Sequence, residues 1–143
     1  GKRGLSNNKK ERDKCTPKGK FSLNKIFYRA DRILKFKSKI EKIKIKKNMG
    51  WCDDPKSHDY NREIKIKKGY KYKYERLYKK DSSYDMMIPI TYNLNKPIKN
   101  KGSAIFLHLT KNYKPTEGCI ALKKKDFFVM LNLINKKTKI KIS

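Results

Sequence analysis

The sequence predicts a single mainly-β domain with one helix near its C-terminus. Three observations predict it. Several segments alternate lysine with Ile or Tyr at period two, as half-buried strands do. The remaining apolar residues gather in short clustered runs of strand length. Only one stretch, residues 126–135, sets its apolar residues on one helical face. At 143 residues, with no internal repeat and no linker, one domain is the economical reading.

The elements follow in order. Residues 1–14 are polar and basic and read as a loop or frayed terminus. Thr16-Pro17-Lys18-Gly19-Lys20-Phe21 is turn chemistry leading into a strand, because Pro17 fixes φ and Gly19 admits conformations other residues resist. Phe21 and Leu23 alternate with Ser22 and Asn24, and Ile26-Phe27-Tyr28 continues as a buried run. Ile43 and Ile45, then Ile64 and Ile66, alternate with lysine as strands. Between them lies a dense polar-aromatic loop, from Trp51-Cys52-Asp53-Asp54-Pro55 to Asp59-Tyr60-Asn61-Arg62. Tyr70, Tyr72 and Tyr74 alternate with lysine; such a pattern can stack on nucleic-acid bases, but a tyrosine face on a strand or extended loop is the preferred reading. Glu75–Tyr78 is expected to form a helical turn. Met86–Tyr92 reads as a buried strand, 93–101 as a loop, and Ser103–Thr110 as the most apolar strand. Phe127, Met130, Leu131 and Ile134 share the helix face, and Thr138–Ile142 closes the chain as a last alternating strand.

The formal net charge is +27, from 40 Lys+Arg against 13 Asp+Glu. Such charge favours anionic partners. Only Arg3, Arg12, Arg29, Arg32, Arg62 and Arg76 are arginine, however, and base readout and bidentate phosphate recognition favour arginine. Nucleic acid is therefore not the expected partner, and most of the charge is read as a solvated surface. No run approaches the roughly 18 apolar residues of a membrane span, and no secretory signal is visible. The three cysteines, Cys15, Cys52 and Cys119, form neither a disulfide framework nor a zinc-type pair with His58 or His108. Cys15 and His58 read as incidental.

Two segments carry chemistry. Gly102-Ser103-Ala104-Ile105-Phe106-Leu107-His108 places a histidine in an apolar strand. Thr116-Glu117-Gly118-Cys119 places a cysteine after a glycine in a turn. The thiolate is the reactive form of cysteine and a neighbouring base generates it, so Cys119 and His108 are a candidate nucleophile and base. Gly118 allows the turn to present backbone N–H groups to an oxyanion. A backbone carbonyl or Ser103 could orient the imidazole.

These segments resemble the L,D-transpeptidase (YkuD-like) catalytic domain. Thr16–Phe21 matches that family's TPxGxF element, Gly102–His108 its histidine strand, and Thr116–Cys119 its [ST]-x-G-C turn. Gly50–Pro55 with Tyr60-Asn61-Arg62 resembles a loop of one bacterial branch. The resemblance implies a β-sandwich or barrel-like fold with a helix after the catalytic cysteine, spanning residues 1–143 as one domain. The family's upstream strand is expected to lie before Gly1. Glu117 and Ala121 stand where many members carry His and Arg, and only ten residues separate His108 from Cys119.

The activity implied is cysteine-dependent acyl transfer on peptidoglycan stem peptides, through a Cys119 thioester with His108 as general base and acid. An amine would be the acceptor and no metal or organic cofactor is implied. Catalytic residues are then Cys119, His108 and Gly118. Substrate contacts are expected from Trp51, Asp53, Asp54, Tyr60, Asn61, Arg62, Ser103, Thr116 and Glu117, with Arg62 a bidentate carboxylate ligand. The basic surroundings should favour the thiolate, and Glu117 should oppose it locally. Location follows from substrate class alone: the cell envelope or periplasm. One alternative keeps the thioester and uses water as acceptor, giving an L,D-carboxypeptidase or amidase. Another is a non-catalytic basic module binding nucleic acid or anionic wall polymer.

Overall fold

A computed structural model describes residues 1–143. Its elements in chain order are β1 (Leu5–Ser6), β2 (Thr16–Pro17), β3 (Gly19–Ser22), β4 (Ile26–Tyr28), β5 (Lys42–Lys44), β6 (Met49–Cys52), β7 (Arg62–Lys65), β8 (Tyr74–Arg76), β9 (Met86–Pro89), β10 (Phe106–Thr110), β11 (Ile120–Lys123), α1 (Lys124–Leu133) and β12 (Lys139–Ile142). The chain is mainly β, as the alternating patterns predict.

A five-stranded sheet in the order β11-β10-β9-β4-β5 organises the molecule. Successive side chains on a strand point to opposite faces, and the two faces of this sheet feed two cores. Ile26, Met86, Ile88, Leu107 and Leu109 point to one side, where Phe127 and Leu131 of α1 and Ile134 after it cover them. Phe27, Met87 and Phe106 point to the other, where they meet Met49 and Trp51 of β6 together with Leu77 and Tyr84. Burial of each such side chain favours folding by roughly 1.5–3 kcal/mol, so the two cores hold the sheet from both sides. β6 sits in a three-stranded antiparallel sheet, β7-β6-β8. Trp51 closes the second core with edge-on contacts to Phe27 and Phe106, at centroid distances of 6.4 and 5.1 Å.

Several expectations need correction. Residues 1–14 are not frayed: β1 pairs in parallel with β2, and Lys9 in the loop between them is buried. Glu75–Tyr78 is not a helical turn. Tyr74–Arg76 pairs antiparallel with Gly50–Cys52, and the ladder overrides any local helical preference. The strand ending at Thr110 starts at Phe106 rather than Ser103, because Gly102 (φ 96°) and Ala104 (φ 52°) turn the backbone first. Ser22 and Ile26 belong to different sheets, with β3 pairing β12 at the C-terminus. Two of the six arginines are structural. Arg29 is buried and grips Asp31 through Nε and Nη2, and Arg32 pairs with Asp85 at 2.8 Å. No helix is long and apolar enough to cross a membrane.

Candidate active site

β10 and β11 lie side by side in parallel, with His108 opposite Ala121 and Leu107 opposite Ile120. Cys119 immediately precedes β11, so the strand pairing itself brings the cysteine alongside the histidine strand. His108 shares the face of Phe106, and Cys119 packs against that same core. Both line one cleft of about 1060 Å³. The connection between the strands contributes Lys111, Asn112, Lys114 and Pro115 to its rim.

Imidazole orientation comes from the backbone. His108 Nδ1 lies 2.9 Å from Leu109 O, so Nδ1 carries the donated hydrogen and Nε2 keeps its lone pair. Tyr84 meets the ring edge-on at 5.5 Å. Burial, reinforced by the Lys79 charge, holds His108 below its ordinary value, so the imidazole is neutral at pH 7. Ser103 does not take this role; its hydroxyl donates to Glu11 Oε2 at 2.9 Å.

The thiol of Cys119 donates to Ala104 O at 3.2 Å and accepts from Phe106 N at 3.4 Å; His108 is not a hydrogen-bond partner. Burial pushes this thiol up to about 12, and Glu75 adds to the effect while Lys79 and Lys9 oppose it. The lysine charges do favour the thiolate, as expected, but they do not suffice to hold one at rest. Desolvation of the charged form outweighs the lysine charges. Glu117, expected to act against the thiolate, is exposed and engaged by Lys2 and by Lys14 at 3.6 Å. The acidic side chain acting on Cys119 is instead Glu75, which binds Lys79 Nζ and Tyr84 OH at 2.7 Å each.

Local chemistry builds the nucleophile turn. Thr116 Oγ1 accepts from Gly118 N at 3.3 Å and donates to Cys119 O at 2.6 Å. Gly118 has φ 132°, and a Cβ there would stand 2.7 Å from Cys15 O. Backbone conformation and space both require glycine. Gly118 N–H is occupied, while the N–H groups of Glu117 and Cys119 have no partner within the protein.

Of the residues expected to contact substrate, Asp53, Ser103, Thr116 and Glu117 line the cleft with Cys119 and His108. Asp53 Oδ1 is buried with no partner, and burial together with the Glu11 charge holds the carboxyl above its ordinary value. Trp51, Tyr60 and Asn61 are buried outside the cleft lining, Asp54 caps the backbone N–H groups of Lys56 and Lys73, and Arg62 is exposed on β7. Asn61 nevertheless bears on the site. Its Oδ1 accepts from Trp51 Nε1 at 2.9 Å and from Ala104 N at 3.0 Å, and its Nδ2 donates to Asn93 O at 2.6 Å. It thereby fixes Ala104, whose carbonyl receives the Cys119 thiol. Tyr60 OH and Ser103 Oγ both bind Glu11, which ties the N-terminal segment to the cleft wall.

Sequence reasoning missed Lys9, Glu11, Glu75, Lys79 and Tyr84. The Tyr84–His108 contact joins different strands' neighbourhoods and the Glu75–Tyr84 bond closes a loop, and neither follows a helix or strand period. No group of three or more His, Cys, Asp or Glu side chains is placed to hold a metal ion.

Comparison with curated proteins and with solved structures gave no match. A family model does match: the YkuD L,D-transpeptidase catalytic domain, over residues 1–142. The TPxGxF element, the histidine strand and the Gly-Cys turn all fall within that span and in that family's order. The chain thus belongs to the L,D-transpeptidase catalytic-domain family, whose members act on peptidoglycan peptides.

Proposed function

We propose that this chain transfers acyl groups on peptidoglycan stem peptides through a thioester on Cys119, with His108 as general base and acid. The observation that carries the reading is the parallel pairing of β10 and β11, which opens the side chains of His108 and Cys119 into one cleft.

The resting thiol is protonated, so the proton leaves during attack rather than before it. Cys119 Sγ bonds to the donor's carbonyl carbon as its proton turns from Ala104 O and passes from sulfur to His108 Nε2, the ring nitrogen left as an acceptor. The carbonyl π electrons move to oxygen, and the Cys119 N–H stabilises the oxyanion. Collapse breaks the C–N bond. His108 gives its proton to the leaving amine of the terminal D-residue, and a thioester remains. An acceptor amine then attacks, His108 takes its proton, the C–S bond breaks and the proton returns to sulfur. Gly118 contributes by permitting the turn, Thr116 by fixing it, and Asp53 and Ser103 by lining the cleft. Substrate of this class places the protein in the cell envelope.

Incubation with purified stem-peptide fragments, with and without an added amine, tests the reading by product mass. Amine-linked product supports transfer. Hydrolysis products alone would replace it with the carboxypeptidase reading, and no consumption of the fragments would defeat both.

A further inference from the structure

Lys9 is 3% exposed, although lysine is seldom buried. Its stem runs against Gly102: a Cβ on that glycine would meet Lys9 Cε at 2.8 Å and Cδ and Cγ at 3.1 Å. Its ammonium continues to Gly118, where a Cβ would lie 3.5 Å from Nζ. Gly102 and Gly118 both have positive φ, at 96° and 132°, so neither accommodates a side chain readily on conformational grounds either. The lysine is thus threaded between two glycines that bracket the nucleophile turn. Asp13 anchors it at 2.6 Å and is itself fixed by Lys10 N at 2.7 Å and Cys15 N at 2.9 Å. Nζ also donates to Lys10 O at 3.4 Å, so its hydrogen bonds lie in its own loop while the ammonium itself stands beside Gly118.

An apolar side chain of the same length would fill this gap without desolvating a charge. The charge itself needs a reason, and its direction supplies one. The charged and titratable groups acting at Cys119 are Glu75, Lys79, Tyr84 and Lys9. Lys79 and Lys9 are each ion-paired, to Glu75 at 2.7 Å and to Asp13 at 2.6 Å, but Lys79 is the more exposed, so solvent screens it where Lys9 is enclosed. We infer that Lys9 is a positioning residue for the nucleophile, its buried ammonium stabilising negative charge as it develops on the Cys119 turn. This rests on the proposed thiol chemistry.

The test uses iodoacetamide as probe, with modification of Cys119 followed by peptide mass across pH 7–9 in the full chain. Lys9→Met and Lys9→Gln delete the charge, and Gln keeps a donor for Asp13 should Met prevent folding; Lys9→Arg keeps the charge. Thermal unfolding identifies the folded variants. Removing the charge is expected to slow Cys119 alkylation about tenfold at each pH, the equivalent of one unit in the thiol midpoint, while Lys9→Arg stays within about threefold of the parent. A Lys9→Gln profile superimposed on the parent's would overturn the inference. So would an equal loss in Lys9→Arg, which would leave a packing role only. Alkylation needs no peptidoglycan substrate. A charge effect without acyl transfer therefore counts against the proposed function alone, and acyl transfer with unchanged alkylation counts against Lys9 alone.

Discussion

Asn61→Ala is the sharpest probe of how the fold holds the site. The side chain is 2% exposed and serves four groups: Trp51 Nε1 and Ala104 N donate to it, and it donates to Asn93 O and, at 3.3 Å, to Tyr92 O. Truncation leaves the two N–H groups and the Asn93 carbonyl without their partner. A buried polar group deprived of its partner costs about 1–3 kcal/mol, so the expected loss is about 3–5 kcal/mol. That is a large share of the roughly 5–15 kcal/mol by which a domain of this kind is stable. Ala104 suffers further. Its φ of 52° is unfavourable for a residue with a Cβ, by about 1–2 kcal/mol, and the Asn61 bond to its N–H is what holds it. Urea unfolding followed by Trp51 fluorescence measures the loss, since Trp51 itself borders the substitution. A loss below about 1 kcal/mol would refute the hub, because even one unsatisfied buried donor costs that much.

Gly118→Ala is expected to abolish acylation of Cys119, because the new Cβ meets a backbone oxygen at 2.7 Å at a φ of 132°; an acylation rate within twofold of the parent would mean a turn that yields freely and would contradict it. The pH profile of acyl transfer should keep its plateau through pH 6.5 and fall only below it, since the folded His108 is depressed from 6.5 and remains a base there; an acid limb centred above 6.5 would contradict the assignment. Stability follows the same sign. The unfolded chain protonates His108 first as pH falls, so the contribution of this group is present above pH 6.5 and is lost as pH drops toward its folded value. Comparing urea midpoints of the parent and His108→Gln across that window isolates it, and parallel curves would count against a buried neutral imidazole.

The proposed nucleophile Cys119, the proposed base His108 and Gly118 were legible as candidates because they depend on local order along 102–119. The half-buried strands were legible too, since Ile43 and Ile64, read as alternating with lysine, lie in β5 and β7. What the sequence did not carry was burial decided by distant chain. Lys9 sits among polar residues with no periodicity, and its burial is set by Gly102 and Gly118 about a hundred residues away. Trp51 and Asn61 read as cleft wall because their polar-aromatic loop resembles one in a branch of the family, yet Asn61 closes on Asn93 and Ala104 and turns inward. Glu75 read as the start of a helical turn over Glu75–Tyr78, whereas its partner Trp51 in β6 fixes it as strand. The protonated resting state of Cys119 was not legible for a related reason: net charge is visible in composition, but the desolvation that outweighs it appears only when the sheet is packed.

The central claim is that Cys119 is an acylable nucleophile served by His108. Intact-mass measurement after treatment with a carbapenem-type β-lactam tests it most directly. The account predicts one covalent adduct per chain on Cys119, absent in Cys119→Ala and formed at least roughly a hundredfold more slowly in His108→Gln, the usual scale for loss of a general base. A folded protein that takes up no adduct, or one that is modified equally in Cys119→Ala, would contradict it.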